Sequence, residues 1–343
     1  MSTLSGNVVG IDYHEKSLRL CVMSPAGKVL TNRSCANDVG EVIEIVNRFG
    51  QVRRVSAEAC NGSTEFLEAL NRSTGWQKRL CHPGYVQRMK NNPDKTDKSD
   101  AELIADLDRV DYLPQVWFAP REIRDLRTLV RYRSGVLEAR KKAKLRIRSL
   151  LRQHRLRWDK PNGLWTRLGI AWLRSLTDFP VRTLWVFSRL LDEFERMSQE
   201  QKAAEKQLKD FAESDPLCSR LLSEPGIGLI TATVMRAEIA DFNRFRIAKQ
   251  LSRFCGLTPR NASSGDRQAD AVGDHRASAR CKLLRKPEWH DLVSRLKQRG
   301  KPYPVIVSTV ANRWVRQLFW KMKEFQRGAQ TLHGGAELES LLG

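Results

Sequence analysis

The sequence predicts an α/β domain followed by an all-α remainder, and three observations carry that reading. Short apolar or alternating runs bounded by turn residues fill positions 7–81. Two later stretches, 121–159 and 181–213, have helical composition, with Gly135 the single Gly or Pro in either. Hydrophobic residues make up 41% of the 343 positions, enough to build real cores and too many for a disordered or fibrous chain. The boundaries fall at 1–120, 121–214 and 215–343.

Within the first domain, Asn7 to Ile11 (NVVGI) reads as a buried strand and Leu18 to Met23 as an alternating one. Pro25-Ala26-Gly27 marks a turn into a third strand, Lys28 to Ser34. A helix over Val39–Phe49, a strand over Arg53–Ala57, a helix over Ser63–Arg72 and a strand over Gln77–Cys81 complete the order. A three-strand meander followed by alternating helix and strand implies a mixed sheet. Ala101 to Asp108 is a further candidate helix.

In the long helix from Arg121, the apolar residues Ile123, Leu126, Val130, Leu137, Ile147 and Leu151 form a seam. Arg133, Arg140 and Lys144 interrupt it. From Val181 to Glu213, heptad positions hold Leu184, Phe187, Leu191, Phe194, Gln201, Leu208 and Ala212. Two long helices in succession predict a helical hairpin or coiled-coil arm, a natural dimer contact. Beyond Asp215 the chain turns compact, with a helix opened by Pro225-Gly226-Ile227-Gly228 and turns at Gly256 and Pro259. The Gly-rich tail after Gln326 is expected to fray.

Charge is the most informative bulk property. Sixty Lys and Arg against 39 Asp and Glu give +21. Residues 121–160 alone carry 15 basic and 4 acidic side chains. Such an excess on one helix favours a polyanion, nucleic acid before an anionic membrane. Lys141, Lys142, Lys144 and Arg148 are its expected phosphate contacts. The seven scattered cysteines form no CxxC pair, which argues against a disulfide scaffold or zinc ribbon and for reduced thiols in a cytoplasm. No apolar run approaches the ~20 residues of a membrane span, and the start has no signal-peptide character.

Four carboxylates stand out. Asp12 ends the first strand, Glu58 ends the strand after the first helix, and Asp97 and Asp100 share a face if their segment is helical. Carboxylates at strand ends and a helix edge can converge on hard divalent cations, Mg2+ or Mn2+, of the kind that assist phosphoryl transfer. Each alone reads as readily as a solvated strand end or, for Asp97, a helix cap. Downstream, Gly226 and Gly228 suit close approach of backbone N–H groups to phosphate. The run Gly256-Leu257-Thr258-Pro259-Arg260-Asn261-Ala262-Ser263-Ser264-Gly265 offers two serines as alcohol nucleophiles, with Arg260 beside them to meet phosphate. A plain Ser/Gly loop fits the same residues.

A sheet opening on Gly10-Ile11-Asp12 with a meander resembles the ribonuclease-H-like fold shared by nucleases and actin-like ATPases. The ATPase branch needs a second Gly-rich phosphate loop, and the sequence has no Asp-Gly-Gly signal for one. More specifically, the chain resembles the DEDD-type serine transposases of insertion sequences, the bridge-RNA-guided recombinases. The matching residues are Gly10-Ile11-Asp12, Ala57-Glu58-Ala59, Lys95-Thr96-Asp97 with Asp100-Ala101, Pro225-Gly226-Ile227-Gly228, and Gly256 to Arg260 leading to Ser264-Gly265.

That resemblance implies a RuvC-like N-terminal domain, a coiled-coil arm and a mostly helical C-terminal transposase domain with a serine loop. It implies that Asp12, Glu58, Asp97 and Asp100 hold metal and that Ser264, rather than Ser263, is the nucleophile. It further implies a phosphoserine link to DNA, a structured guide RNA, and a homodimer assembling to a tetramer with active sites built from different protomers. The expected location is the prokaryotic cytoplasm, on the nucleoid.

One stretch departs from the pattern. Ala271-Val272-Gly273-Asp274-His275-Arg276-Ala277-Ser278-Ala279-Arg280 stands where the family carries a Lys-Gly turn and a Leu-Arg helix, and the pattern resumes at Gly300-Lys301-Pro302. Two further readings follow: a metal-only RuvC-like nuclease using the tetrad and water, or an inactive nucleic-acid-binding remnant.

Overall fold

Alternation along one strand decides how the first unit packs. The structure, a computed structural model, describes residues 6–86, 89, 97–258, 260–264, 267–271 and 287–342, with 260–271 and 329–342 described by backbone alone. Two compact units emerge, 1–119 and 120–343.

In the first, β1 (Asn7–Tyr13) pairs antiparallel with β2 (Ser17–Met23), which pairs antiparallel with β3 (Val29–Ala36). On its other side β1 pairs parallel with β4 (Val52–Glu58), and β4 with β5 (Gln77–Cys81). The two-residue β6 (Gln115–Val116) closes the order β3-β2-β1-β4-β5-β6. This is the mixed α/β sheet expected from the sequence.

Val9 and Ile11 of β1, with Val55 and Ala57 of β4, enter a core completed by α1 (Val39–Asn47) and α2 (Ser63–Thr74). Because side chains alternate along a strand, Val8, Gly10 and Asp12 face the opposite side. There Val8, Cys21 and Met23 pack on Ala101 and Ala105 of α4 (Asp97–Arg109), which follows the single turn α3 (Pro83–Val86).

A buried ion pair pins the C-terminal end of α4. Arg54 Nε lies 3.2 Å from Asp108 Oδ2, with the two side chains 1% and 0% exposed. Arg79 Nη1 adds contacts to Asp108 Oδ1 at 2.9 Å and to Asp111 Oδ1 at 2.6 Å. Removing one member of such a pair strands a charge in the interior. Arg54→Ala is expected to cost about 3–5 kcal/mol, measured by chemical denaturation, whereas a cost below ~1 kcal/mol, typical of a surface pair, would contradict this burial.

The second unit opens with α5 (Arg121–Gln153), which packs along α7 (Val181–Ser214). The buried face of α5 is Ile123, Leu126, Val130, Val136, Ala143, Ile147 and Leu151. Leu137 is only half-buried: Leu126 and Val130 pack on Leu208 and Ala237, whereas Ala143, Ile147 and Leu151 pack on Phe187, Leu190 and Phe194, so the buried stripe shifts to Val136 and Ala143 where the partners change. Two of the interrupting basic residues are paired across the seam. Arg133 binds Glu205 through Nε and Nη2 at 2.9 and 2.6 Å, and Arg140 reaches Ser198 Oγ at 3.0 Å and Gln201 Oε1 at 2.8 Å. Between the long helices, α6 (Arg167–Ser175) was not legible as a helix; its Leu173 joins Ile147, Phe179 and Phe187 in a small core.

Next come α8 (Pro216–Leu222), α9 (Leu229–Ile239) and α10 (Ala248–Phe254), then a hairpin of β7 (Arg260–Ser264) and β8 (Arg267–Ala271), and finally α11 (Pro287–Gln298) and α12 (Tyr303–Leu342). Leu217, Leu221, Phe242, Leu251, Phe319 and Met322 form a core shared by α8, α10 and α12, while Trp289 and Leu292 of α11 pack on Val310 of α12. Two expectations need correction. The tail does not fray: α12 continues to Leu342, since the strong helix formers around Gly334-Gly335 outweigh a cost of roughly 1 kcal/mol per glycine. The serine segment is a β-hairpin strand rather than a loop, and Gly265-Asp266 between two five-residue runs is a sequence signal for such a connection. Among the described residues no helix is long and apolar enough to cross a membrane.

Candidate functional site

The carboxylates converge because of strand register and one glycine. Ile11 pairs with Ala57 in the parallel β1–β4 ladder, so Asp12 and Glu58 are neighbours one step further along, at the C-terminal edge of the sheet. Both belong to the alternation that faces α4. A Cβ on Gly10 would stand 2.2 Å from the Ala101 carbonyl oxygen and 2.5 Å from the Ala105 nitrogen. Only glycine admits this approach, which seats α4 directly on the β1 backbone. The first turn of α4 carries Asp97 and Asp100, where the helix dipole favours negative charge.

His14 completes the group. Its Nε2 lies 3.3 Å from Asp12 Oδ2 and 3.8 Å from Asp97 Oδ1, and ligand atoms of Asp12, His14 and Asp97 all fall within 4.8 Å of one another. Asp12 is mostly buried, Asp100 is buried, and Asp97 is exposed, so the cluster opens to solvent on the Asp97 side. Burial raises the Asp12 carboxyl above its ordinary range; the charges of Asp97 and Asp100 raise it further, and His14 opposes them. Burial, and secondarily the charge of Glu58, pushes the neighbouring Cys81 thiol up to about 12.

Of the four carboxylates expected to act together, Asp12 and Asp97 share the compact donor group. Asp100 is near enough for its charge to act on Asp12, and Glu58 sits on the adjacent strand edge. His14 was missed by the sequence reading, although its position two residues after Asp12 on the same strand edge was the available signal. Two carboxylates and an imidazole offer oxygen and nitrogen donors suited to a divalent ion.

In the second unit, Lys141 and Lys142 are exposed on α5. Lys144 instead lies over the Trp165 and Phe194 rings, at 5.0 and 5.4 Å, and Arg148 over Trp165 at 5.7 Å. Burial, then the adjacent Arg140 and Arg148 cations, pulls the Lys144 ammonium down. Gly226, in the α8–α9 turn, has φ +93°, a conformation that favours glycine, while Gly228 is extended, with open space where a Cβ would stand. Arg260, Ser263 and Ser264 lie in β7, with Ser264 paired to Arg267 in the backbone register; their side chains, and all of 272–286, lie outside the described residues.

Comparison with known proteins adds family information. Residues 9–155 match a family model described as "Transposase", and residues 218–284 match one described as "Transposase IS116/IS110/IS902 family". The second match runs through 271–284, where the motif departs. A transposase for insertion sequence element IS1111A from Coxiella burnetii is 27% identical over 76% of this chain and 71% of its own length. A probable family 20 transposase from Pseudomonas aeruginosa is 28% identical, and a transposase for insertion sequence element IS1328 from Yersinia enterocolitica 26% identical, each over 62% of this chain. The chain spans 63% and 62% of the lengths of these two. Among solved structures, Thermus thermophilus RuvC in complex with a Holliday junction substrate aligns over 32% of this chain and 99% of its own, at 16% identity and a TM-score of 0.26.

Proposed function

Because the chain belongs to the IS110 family of transposases, we propose that it moves an insertion sequence by breaking and rejoining DNA strands through a phosphoserine intermediate, guided by a structured RNA. The observation that carries this reading is the convergence of Asp12 and Asp97 in a chain matched along both transposase segments. A divalent cation, Mg2+ or Mn2+, supplies Lewis-acid stabilisation of charge on the phosphodiester oxygens when bound. Asp12 and Asp97 would hold it, with Asp100 and Glu58 alongside.

Ser264 Oγ attacks the phosphorus, and the DNA oxygen leaves with a proton. A hydroxyl of the strand to be joined then reverses the attack and frees the serine. The phosphoserine conserves the energy of the broken bond, so no nucleoside triphosphate is consumed. Gly226, Gly228 and Arg260 meet phosphate, and the acting assembly is a homodimer that pairs into a tetramer.

The exposed part of α5 binds nucleic acid through Lys141 and Lys142. Their joint replacement by Gln is expected to weaken binding and flatten the dependence of log K on log salt by up to about 2. Lys144 and the exposed Arg148 add to the same phosphate-binding face, and because both also pack on Trp165, Lys144→Gln and Arg148→Gln should weaken binding and loosen that packing together. An unchanged slope in the Lys141/Lys142 double variant would reduce these lysines to a solvated face.

The whole reading is tested by incubating the chain with DNA spanning the element's ends, RNA transcribed from its flanks, and Mg2+. Amplification across the new junction should detect a joined product that chelation abolishes. Cleavage with no joined product would leave a nuclease, and binding with neither would leave a remnant.

A further inference from the structure

We propose that His14 is a direct ligand of the metal ion and that its imidazole tilts the site away from Mg2+ and towards Mn2+ and related first-row ions. The proposal rests on the reading that Asp12 and Asp97 hold a cation. It adds a donor that the four-carboxylate pattern does not contain.

The spacing carries the argument. In an octahedral site with metal–oxygen distances of about 2.1 Å, adjacent donors stand about 3.0 Å apart and opposite donors about 4.2 Å. His14 Nε2 lies 3.3 Å from Asp12 Oδ2 and 3.8 Å from Asp97 Oδ1. Both separations lie between those limits, and the ligand atoms of all three residues lie within 4.8 Å of one another, so modest side-chain adjustment would let His14 share one ion with Asp12 and Asp97.

Position on the fold supplies the rest. Tyr13 turns to the α2 side, where its ring meets Phe66 at 5.8 Å between centroids. Alternation then returns His14 to the face of Asp12. Its backbone is held on both sides: its N–H donates to the Ser17 carbonyl at 3.1 Å, and its carbonyl accepts from Asn37 Nδ2 at 3.0 Å. The imidazole itself is half exposed, so an ion can reach it from solvent. A fixed backbone with an accessible ring is a suitable arrangement for a ligand.

The chemistry then sets preference. Mg2+ is a hard ion that takes oxygen donors and keeps several waters, whereas imidazole nitrogen suits first-row transition ions. Exchanging one oxygen donor for His14 nitrogen therefore favours Mn2+ over Mg2+ relative to an all-carboxylate site.

The test uses the full chain with Mn2+ alone as the probe, read by pulsed electron paramagnetic resonance and by titration. The expected result is a bound Mn2+ whose spectrum shows nitrogen modulation that shifts on 15N-histidine labelling and vanishes in His14→Ala. Mn2+ affinity should fall by at least the roughly 10-fold that losing even an outer-shell partner costs, with Mg2+ affinity changing much less. Mn2+ bound without nitrogen modulation, or with modulation that survives His14→Ala, overturns the histidine assignment and leaves the carboxylate site intact. Failure of the wild type to bind Mn2+, or binding that Asp12→Asn does not weaken, overturns both. His14 lies in a half-exposed turn, so its replacement leaves the fold available for measurement.

Discussion

Ser264→Ala is expected to abolish a covalent protein–DNA species that the wild type forms with guide RNA and cognate DNA. A nucleophilic serine leaves the protein joined to a DNA end, an adduct that neither a water-using nuclease nor a binding remnant can make. Only the hydroxyl matters to that chemistry, and losing one hydroxyl normally costs no more than about 1 kcal/mol of stability. The variant should therefore unfold at nearly the wild-type temperature while losing the adduct completely. Ser263→Ala should retain it. After incubation and denaturation, the adduct appears as a DNA-shifted protein band. An equal band from Ser264→Ala would assign the nucleophile elsewhere, and no band from the wild type would favour the nuclease or the remnant.

Asp12→Asn is the second substitution with a large expected effect, because it changes activity and stability in opposite directions. Strand cleavage should fall to background, since the carboxylate at the centre of the donor group is lost. Stability without metal should rise. The folded-state Asp12 carboxyl is raised by burial and by the charges of Asp97 and Asp100. A raised carboxyl binds its proton more tightly in the folded than in the unfolded chain, so stability is lost as pH climbs from the ordinary carboxylate range through the raised one. At neutral pH the wild type carries that penalty and the amide does not. Added Mn2+ or Mg2+ should raise the melting temperature of the wild type and leave Asp12→Asn almost unmoved. A metal-free Asp12→Asn that melts lower than the wild type, or that gains as much from metal, would remove Asp12 from the site.

The two effects together separate a metal site from a merely structural cluster. A cluster serving only to hold α4 on the sheet would lose stability with the carboxylate. Structural anchoring is instead found at the other end of α4, where Arg54 and Asp108 are paired and buried.

Much of the first unit was legible because its signals are local. The apolar run Val8 to Ile11, the alternation of Leu18 to Met23, turn residues at Pro25 to Gly27, and helical spacing from Val39 mark these elements within a few residues of chain. The long helices were legible for the same reason. The buried seam of α5 shifts to Val136 and Ala143 because different residues cover its two halves, Leu208 and Ala237 on one and Phe187 and Phe194 on the other, which spacing along α5 alone cannot show. Helix α6 escaped because Pro161-Asn162-Gly163 just before it and Gly169 within its nine residues read as turn signals, although the segment is amphipathic. The hairpin holding Ser264 escaped because Ser and Gly are themselves loop formers, so the run Ala262 to Gly265 masks the Gly265-Asp266 turn signal.

By itself the sequence determined the strand and helix order, the excess of positive charge on α5, and the set of carboxylates from which a metal site could be built. Tertiary structure alone decided which of them meet. Register between β1 and β4 places Glu58 beside Asp12, and the bare backbone of Gly10 lets α4 descend until Asp97 reaches the same point. It also brought in His14 and set Lys144 and Arg148 against Trp165. The physical reason is that local periodicity fixes the direction in which a side chain leaves its own element. The distance between two elements depends on packing between residues far apart in the chain.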